Sequence, residues 1–479
     1  MIQFHNTLSG KLEEFKPLKD GQVMFYACGP TVYHYAHIGN FRTFVFEDLL
    51  RRFLEFKGLK VRHVMNITDV DDKTIAGANR EKKSLSAYTA FYTEAFLEDM
   101  KTLNMLSPEV QPRATDSIDD IVALIRQLIE KEIAYLAEDG SVYYRVAKFP
   151  GYGKLSKKKL DGNISGARVD VDEYDKEQGA DFVLWKKAKE DEPSWDSPWG
   201  KGRPGWHIEC SAMCMRHLGE TIDIHAGGED LVFPHHENEI AQSEAATEKE
   251  PFVKYWLHAK HLLVNGEKMS KSKGNFFTLR DLLEKGYDPM AIRYALLSVH
   301  YRNQLNFTFE SLKEAREVIE KLDNCYFQCL SLHARKTYND PQSELPESLK
   351  SFLRNAENAL EQDLNISNAL AFFLGGVTAI NQDMAREEES LNSANLEAAI
   401  EYFKKTDQLF GFDIASIESI PGNVKTALEQ YTEARKTRDF TKSDLMRQKI
   451  VELGWLVKDG RPGEPSTVKK VRRAWDIKK

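Results

Sequence analysis

The first seventy residues carry two apolar rhythms. Residues 23–27 form a short continuous apolar run, broken by Cys28-Gly29-Pro30, which predicts a buried strand. Phe41, Val45, Leu49, Phe53 and Phe56 then recur at helical spacing, and a second strand is predicted at residues 60–66. Strand, helix and strand at this spacing make a βαβ unit, whose parallel strands aim their carboxyl ends at a shared crevice. A mainly helical stretch reaches about Glu138. A Gly-, Lys- and Asp-rich segment with strand-like pieces then runs to about Pro204 and reads as an insertion. Strand signals return at residues 222–224 and 262–264, predicting that sequence beyond the insertion completes the first sheet. Residues 309–410 are almost entirely amphipathic helix with acidic polar positions, which predicts a bundle. After Gly411 a separate small module begins near Pro421-Gly422, and no internal repeat is visible.

At 479 residues the chain is too long for one ordinary core, so two to four domains are expected. Hydrophobic content of 42% and charged content of 29% fit a folded, soluble protein rather than a disordered one. Met1-Ile2-Gln3-Phe4-His5 shows no basic segment before an apolar run, and no stretch approaches the roughly 20 apolar residues of a membrane span. The expected location is the cytoplasm, with no membrane contact. Five cysteines (Cys28, Cys210, Cys214, Cys325 and Cys329) are too few and odd in number for a disulfide framework, which leaves thiols free to bind metal. The net charge of -8 argues against a polyanion partner along most of the chain. Residues 431–479, however, hold 14 Lys and Arg against 7 Asp and Glu, which suits an RNA contact confined to that end.

Two motifs carry nucleotide chemistry. His37-Ile38-Gly39-Asn40 opens a helix just after a strand, with His34 three residues earlier. Helix-start amides and imidazoles can face a phosphate, and a glycine lets a base and ribose approach the backbone. A capping histidine with a packing glycine would produce the same four residues. Lys268-Met269-Ser270-Lys271-Ser272-Lys273-Gly274-Asn275 is a loop dense in ammonium groups, able to clamp triphosphate oxygens and neutralise departing pyrophosphate. Together, in this order and far apart, the two resemble the HIGH and KMSKS signatures of class I aminoacyl-tRNA synthetases. Asn40 stands where the family has the last histidine; it donates a hydrogen bond but carries no charge.

A third set of residues has metal chemistry. Cys28 precedes His37 by nine residues, Cys210 follows Gly205-Trp206-His207-Ile208-Glu209, and His235-His236-Glu237-Asn238-Glu239 opens a predicted helix. Zinc takes four thiolate, imidazole or carboxylate ligands in a tetrahedron, and His235 and Glu239 share a helix face at four-residue spacing. By spacing alone, His236, Glu237 and Cys214 serve equally well. This is not the HExxH motif of zinc proteases, since Ile240 occupies the place of its second histidine. The strings GWHIECSAM and FPHHENEIAQSEA resemble those of cysteinyl-tRNA synthetases, and the likeness extends over nearly the whole chain. Asp363-Leu364-Asn365, Arg438-Asp439-Phe440 and Ser443-Asp444 resemble the family's anticodon-binding region, and the likeness fades past Asp459.

The resemblance implies an α/β fold: a Rossmann-type parallel-sheet catalytic domain with an insertion, then an α-helical bundle and a small C-terminal α+β module. The expected division is 1–115 with 205–260 for the split catalytic domain, 116–204 for the connective insertion and 261–308 for the KMSKS loop and stem contact. Residues 309–410 would be the anticodon-binding bundle and 411–479 the small module with its basic tail. It further implies one Zn²⁺ on Cys28, Cys210, His235 and Glu239, and Mg²⁺ with ATP. His37, Asn40, Lys268 and Lys271 would stabilise the transition state of adenylate formation, while His34, Gly39, Asp230 and Lys271 would bind ATP. Trp206, Thr68 and Asp69 would hold L-cysteine, with Asp69-Val70-Asp71-Asp72 equally readable as a helix cap. Cys325 and Cys329 match no family ligand and are expected in the bundle core. The implied partners are tRNA(Cys), ATP and cysteine, acting on a monomer. A related ligase that joins cysteine to an amino sugar lacks an anticodon module, so the roughly 170 residues after Phe309 favour the synthetase. A silent tRNA-binding homologue would lose the ligands or loop lysines, and all are present. A zinc hydrolase would need an open coordination position for water, which four protein ligands do not leave.

Overall fold

The computed structural model describes residues 1–158, 181–190, 192–333, 345–386, 393–417, 419–459 and 466–470. The chain forms two compact units, Met1–Arg280 with Tyr301–Asn306, and Asp281–His300 with Phe307–Lys479.

The first unit is built on a four-stranded parallel sheet. β1 (Gln22–Ala27) and β2 (Lys60–Met65) flank α1 (Ile38–Phe56), as the apolar rhythms predict. After α2 (Trp206–Leu218) come β3 (Ile222–Gly228), α3 (Glu237–Thr247) and β4 (Val253–Ala259), and the strand order is β4-β3-β1-β2. Each inner strand is apolar and buried on both faces, as a helix-covered parallel sheet requires. The chain leaves β1 toward β2 on one side and returns with β3 on the other, so a crevice opens beyond the carboxyl ends of β1 and β3.

One expectation needs correcting. Residues 262–264 do form a strand, Leu262–Val264, but it pairs antiparallel with Glu267–Lys268 and stays outside the parallel sheet. The fourth strand is β4, whose seven residues are nearly all buried. Its continuous apolar run interrupted by His258 reads ambiguously by periodicity alone.

α1 runs through the core, with 14 of its 19 residues buried, charged ones included. Those charges need partners. Arg52 donates to Asp48 at 2.8 Å, whose other oxygen accepts from the Leu106 amide at 2.8 Å, and Arg51 pairs with Glu55 and Glu109. The segment read as helical to about Glu138 holds helices Asp72–Arg80, Leu85–Thr102 and Ile118–Glu130, then turns to strand at Ala134–Leu136. That strand begins an antiparallel sheet with Val142–Tyr144, Phe182–Lys187 and Gly202–Pro204, which is the predicted insertion. Lys186 and Arg203 both reach Asp72 and tie this sheet to the first of those helices.

In the second unit Phe309–His333, Glu347–Glu361, Ile366–Arg386 and Ser393–Phe410 form the predicted helices, packed through Leu322, Tyr326, Leu360, Phe373, Tyr402 and Phe403. Cys325 and Cys329 lie in this core, and Cys329 Sγ contacts Met384 Sδ at 3.6 Å. Helices Gly422–Lys436 and Phe440–Glu452 precede an antiparallel pair, Trp455–Lys458 and Thr467–Lys470. Tyr431 and Arg447 both bind Asp459 at 2.6 Å. Residues 460–465 and 471–479, which hold much of the basic tail, lie outside the described residues. Among the described residues no helix is long and apolar enough to cross a membrane.

Replacing Asp48 with Ala strips the buried Arg52 guanidinium of its carboxylate and the Leu106 amide of its acceptor. The expected cost is about 3 kcal/mol, visible as a lower denaturation midpoint; an unchanged midpoint would show that Arg52 is held by its other contacts.

Candidate functional site

The crevice beyond β1 and β3 is lined by two groups of residues. At its nucleotide side, His37 is the N-cap of α1: its Nδ1 accepts from the Asn40 amide at 3.0 Å, and its own amide donates to Asn40 Oδ1 at 3.1 Å. The capping reading and the phosphate reading are therefore compatible. With Nδ1 occupied as an acceptor, the neutral ring must carry its proton on Nε2, where it can donate to an anion. Burial lowers the His37 pKa, with Asp230 opposing and His34 and Lys271 adding to the fall, so the neutral donor is the form present near pH 7. Asn40 spends its Oδ1 on the cap, and its side-chain NH₂ lies outside that capping box.

The basic loop reaches the same place. Asn275 bridges it, accepting from Ser270 N at 2.8 Å and donating to Lys268 O at 3.2 Å. Its exit strand is bonded to the α1 start, since Ile38 N donates to Phe277 O at 3.0 Å and His37 bridges Thr278. The Phe276 ring stands edge-on to His37 at 5.2 Å and to His34 at 6.5 Å, and Lys271 Nζ lies 5.2 Å from its centroid. A Cβ on Gly39 would lie 2.7 Å from Met269 Cε and 3.0 Å from the His37 ring, so a side chain there would crowd the crevice. His34 binds Tyr35 O at 3.2 Å, and the exposed Asp230 folds its carboxylate over Gly228 at the end of β3. His34, His37, Gly39, Asn40, Asp230 and Lys271 are thus assembled around one crevice. Lys268 is exposed at the loop's entry.

Beneath this lies a buried cluster. Ligand atoms of Cys28, Cys210, His235 and Glu239 fall within 4.8 Å of one another, as do those of Cys28, His225, His236 and Glu239. Cys28 follows β1, Cys210 sits on α2, and His235 lies in a π-helical turn (Val232–His236) that runs into α3 and its Glu239. The predicted one-face pairing holds across that junction, with His235 Nε2 3.0 Å from Glu239 Oε1. Cys28 Sγ is 4.0 Å from Cys210 Sγ and 3.8 Å from Glu239 Oε1. The first quartet has two sulfurs, one nitrogen and one oxygen, a set suited to zinc. Burial pushes the Cys28 thiol up, whereas a hydrogen bond from Cys28 brings Cys210 down to about 6. Burial opposes the charge on Glu239, but His225 and His235 hold it at about 2; burial opposes His235 too, and Cys210 with Glu239 raise it to about 10. A thiolate, a carboxylate and an imidazolium without water are the protonation pattern of a site that a divalent cation would neutralise, displacing the Cys28 and His235 protons.

Of the alternatives, Glu237 caps the insertion loop, accepting from Gly153 N at 2.9 Å and Ser156 N at 2.7 Å. Cys214 is fully buried and stands in neither quartet. His236 packs at a tilt against His225, His258 and Trp256, with Nδ1 2.7 Å from His258 Nε2 and Nε2 3.3 Å from Cys28 Sγ. Around the first quartet, His225 Nε2 binds Glu239 Oε2 at 3.0 Å and His207 Nδ1 lies 2.9 Å from His235 Nδ1. These histidines were missed by sequence reasoning. The available signal was a histidine inside a mostly apolar strand: His225 in β3 and His258 in β4.

Trp206 is 41% exposed, and its ring lies 4.3 Å from His235, walling the cluster on its open side. Thr68 donates to Glu209 Oε2 at 3.2 Å. The Asp69 carboxylate accepts from Thr115 N at 3.0 Å and Thr115 Oγ1 at 2.6 Å, while Asp71 caps the helix Asp72–Arg80. The cap belongs to Asp71 alone, and Asp69 is separately anchored.

Residues 14–317 match the family of class I (C) tRNA synthetase catalytic domains. The chain is 48% identical to a cysteine–tRNA ligase of Solibacter usitatus (strain Ellin6076), over 96% of this chain and 98% of the relative. With the cysteine–tRNA ligase of Koribacter versatilis (strain Ellin345) it shares 44% identity over 96% and 98% of the two chains. Among solved structures it is similar to the Mycobacterium tuberculosis methionyl-tRNA synthetase in complex with methionyl-adenylate. That likeness has a TM-score of 0.61 at 14% identity, covers 88% of this chain and 96% of that one, and speaks for the fold.

Replacing His225 with Leu removes the hydrogen bond that orients Glu239. Chelator competition should then show zinc held about 10- to 100-fold more weakly; unchanged affinity would reduce the His225 contact to packing.

Proposed function

The chain belongs to the class I cysteine–tRNA ligases, and from that premise we propose how its own residues carry out the activation of cysteine with ATP and its transfer to tRNA. The single observation that carries the reading is the buried set of Cys28, Cys210, His235 and Glu239 at the floor of the crevice that also holds His37 and Lys271.

Cys28, Cys210, His235 and Glu239 would hold one zinc, with His225 and His207 fixing the outer atoms of Glu239 and His235. When bound, zinc supplies a Lewis acid that favours a thiolate over a neutral hydroxyl. Shape alone would separate cysteine from serine by only about 1–3 kcal/mol. Trp206 walls the amino-acid pocket, and Thr68 and Asp69 face the amino group. One donor favours the first quartet over its rival: Cys210, which only that quartet contains, is held near its thiolate form.

ATP lies over Gly39 with His34 and Asp230 at its nucleoside end. The cysteine carboxylate attacks the α-phosphorus, the bond to the β-phosphate oxygen breaks, and pyrophosphate leaves with Mg²⁺. His37 Nε2–H, the Asn40 side-chain NH₂, Lys268 and Lys271 face the charge that develops. Lys271 must leave the Phe276 ring to do so, which exposed loop residues allow. The 2′-hydroxyl of the terminal adenosine of tRNA(Cys) then takes the cysteinyl group and AMP departs. The helices after Phe309 and the small module from Gly411 read the anticodon, and the chain works as a cytoplasmic monomer.

Pyrophosphate exchange with cysteine and with serine, on native and zinc-depleted protein, tests this. Cysteine should be preferred by more than the roughly 200-fold available to shape, and the preference should vanish with the metal. Equal use of serine, or full activity without zinc, would overturn the metal reading.

A further inference from the structure

The turn after Cys28 and the helix that carries Cys210 are joined by a directed chain of hydrogen bonds through Thr68. The Gly29 amide donates to Asn66 Oδ1 at 2.9 Å. A backbone amide can only donate, so the Asn66 oxygen must face Gly29 and its NH₂ must face the other way. That NH₂ donates to Thr68 Oγ1 at 3.2 Å, and Thr68 Oγ1 donates to Glu209 Oε2 at 3.2 Å. The Thr68 hydroxyl has one proton and two lone pairs. Its proton goes to Glu209 and one lone pair receives Asn66, so one lone pair remains, as an acceptor.

The surroundings hold this order rigidly. Thr68 N donates to Pro30 O at 3.1 Å and Val32 N donates to Thr68 O at 3.1 Å, zipping the two strand exits together. At Gly29 a Cβ would stand 1.7 Å from Asn66 O, so the approach admits glycine only. Asn66, Thr68 and Glu209 are each 1% exposed or less. Glu209 Oε1 has no hydrogen-bond partner among the described residues. A wholly buried polar oxygen without a partner is costly, and it marks a group held in place for its other contact, here with Thr68.

We propose that Asn66 and Glu209 are positioning residues that fix the Thr68 hydroxyl as a hydrogen-bond acceptor for the α-ammonium of the amino-acid substrate, a role that rests on Thr68 facing the amino group. Neither residue is a metal ligand. Glu209 draws the hydroxyl proton away from the substrate, and Asn66, whose NH₂ is turned to Thr68, blocks the alternative of Thr68 donating to the Asn66 oxygen. The relay makes the pocket selective for a protonated amine at the position where a free hydroxyl rotor would be indifferent.

The test uses the zinc-loaded full chain in pyrophosphate exchange, with 3-mercaptopropionate, which has the thiol and carboxylate but no amine, as a competitive inhibitor. Thr68→Val and Glu209→Leu should each raise KM for cysteine roughly 10- to 100-fold. KM for ATP, zinc content and the inhibition constant of 3-mercaptopropionate should not move. The double variant should be no worse than Thr68→Val, because both remove one interaction. Glu209→Gln keeps an acceptor oxygen for Thr68 and should restore most of the affinity, which also covers the case of a poorly folding leucine variant. If Thr68→Val leaves KM for cysteine unchanged, the amino-group reading of Thr68 fails and the relay with it. If Thr68→Val weakens cysteine while Glu209→Leu does not, or the two effects add, the relay alone is overturned. Equal weakening of cysteine and 3-mercaptopropionate in Glu209→Leu would likewise overturn it, in favour of a disturbed metal site.

Discussion

Ligand atoms of Cys28, Cys210, His235 and Glu239 crowd within 4.8 Å of one another, and none of the four residues is more than 8% exposed. Charges so placed are destabilising unless something compensates them. Much else in the first unit follows from that constraint. Glu239 is held ionised only because His225 and His235 face it, and His235 is held protonated only because Cys210 and Glu239 do. A divalent cation resolves the conflict in one step, exchanging protons for coordination.

The parallel sheet makes this cluster possible and places it usefully. The order in which strands are added reverses between β1 and β3, which leaves a gap at their carboxyl ends. Cys28 enters the gap from β1, while the π-helical turn after β3 brings in His235 and Glu239 and α2 brings in Cys210. The same β1 exit leads within ten residues to His37, so the amino-acid floor and the phosphate side share one backbone segment. Economy of this kind couples them: the cap that orients His37 and the zipped turn that carries Cys28 belong to the same short stretch. The KMSKS loop joins by backbone bonding at Phe277 and Thr278, which leaves its lysines exposed on a tethered arm.

Outside the ligands, polar side chains buried in apolar strands do the orienting. His225 and His258 interrupt β3 and β4 where valine or isoleucine would pack better, and both face the cluster through Glu239 or His236. Asn66, Thr68 and Glu209 show the same economy between the β1 exit and α2. Such groups lower the stability of an isolated core and gain their place from the ligands they arrange.

Local rules were enough for much of the chain. The apolar runs and helical spacing determined β1, α1, β2, the insertion and the helices after Phe309, because burial alone selects those patterns. Motif spacing with family likeness named the HIGH and KMSKS segments and the four metal donors. Sequence spacing left Cys214, His236 and Glu237 as equal candidates, since a ligand is defined by where its atom points and not by its interval. Tertiary structure separated two of them, turning Glu237 to the insertion loop and leaving Cys214 out of both quartets, while His236 keeps its Nε2 3.3 Å from Cys28 Sγ in the second quartet. It also decided that residues 253–259, not 262–264, complete the sheet, because a buried strand is recognised by neighbours on both faces. The directed bonds from Gly29 to Glu209 span 180 residues of sequence and exist only where the fold brings two strand exits and a helix together.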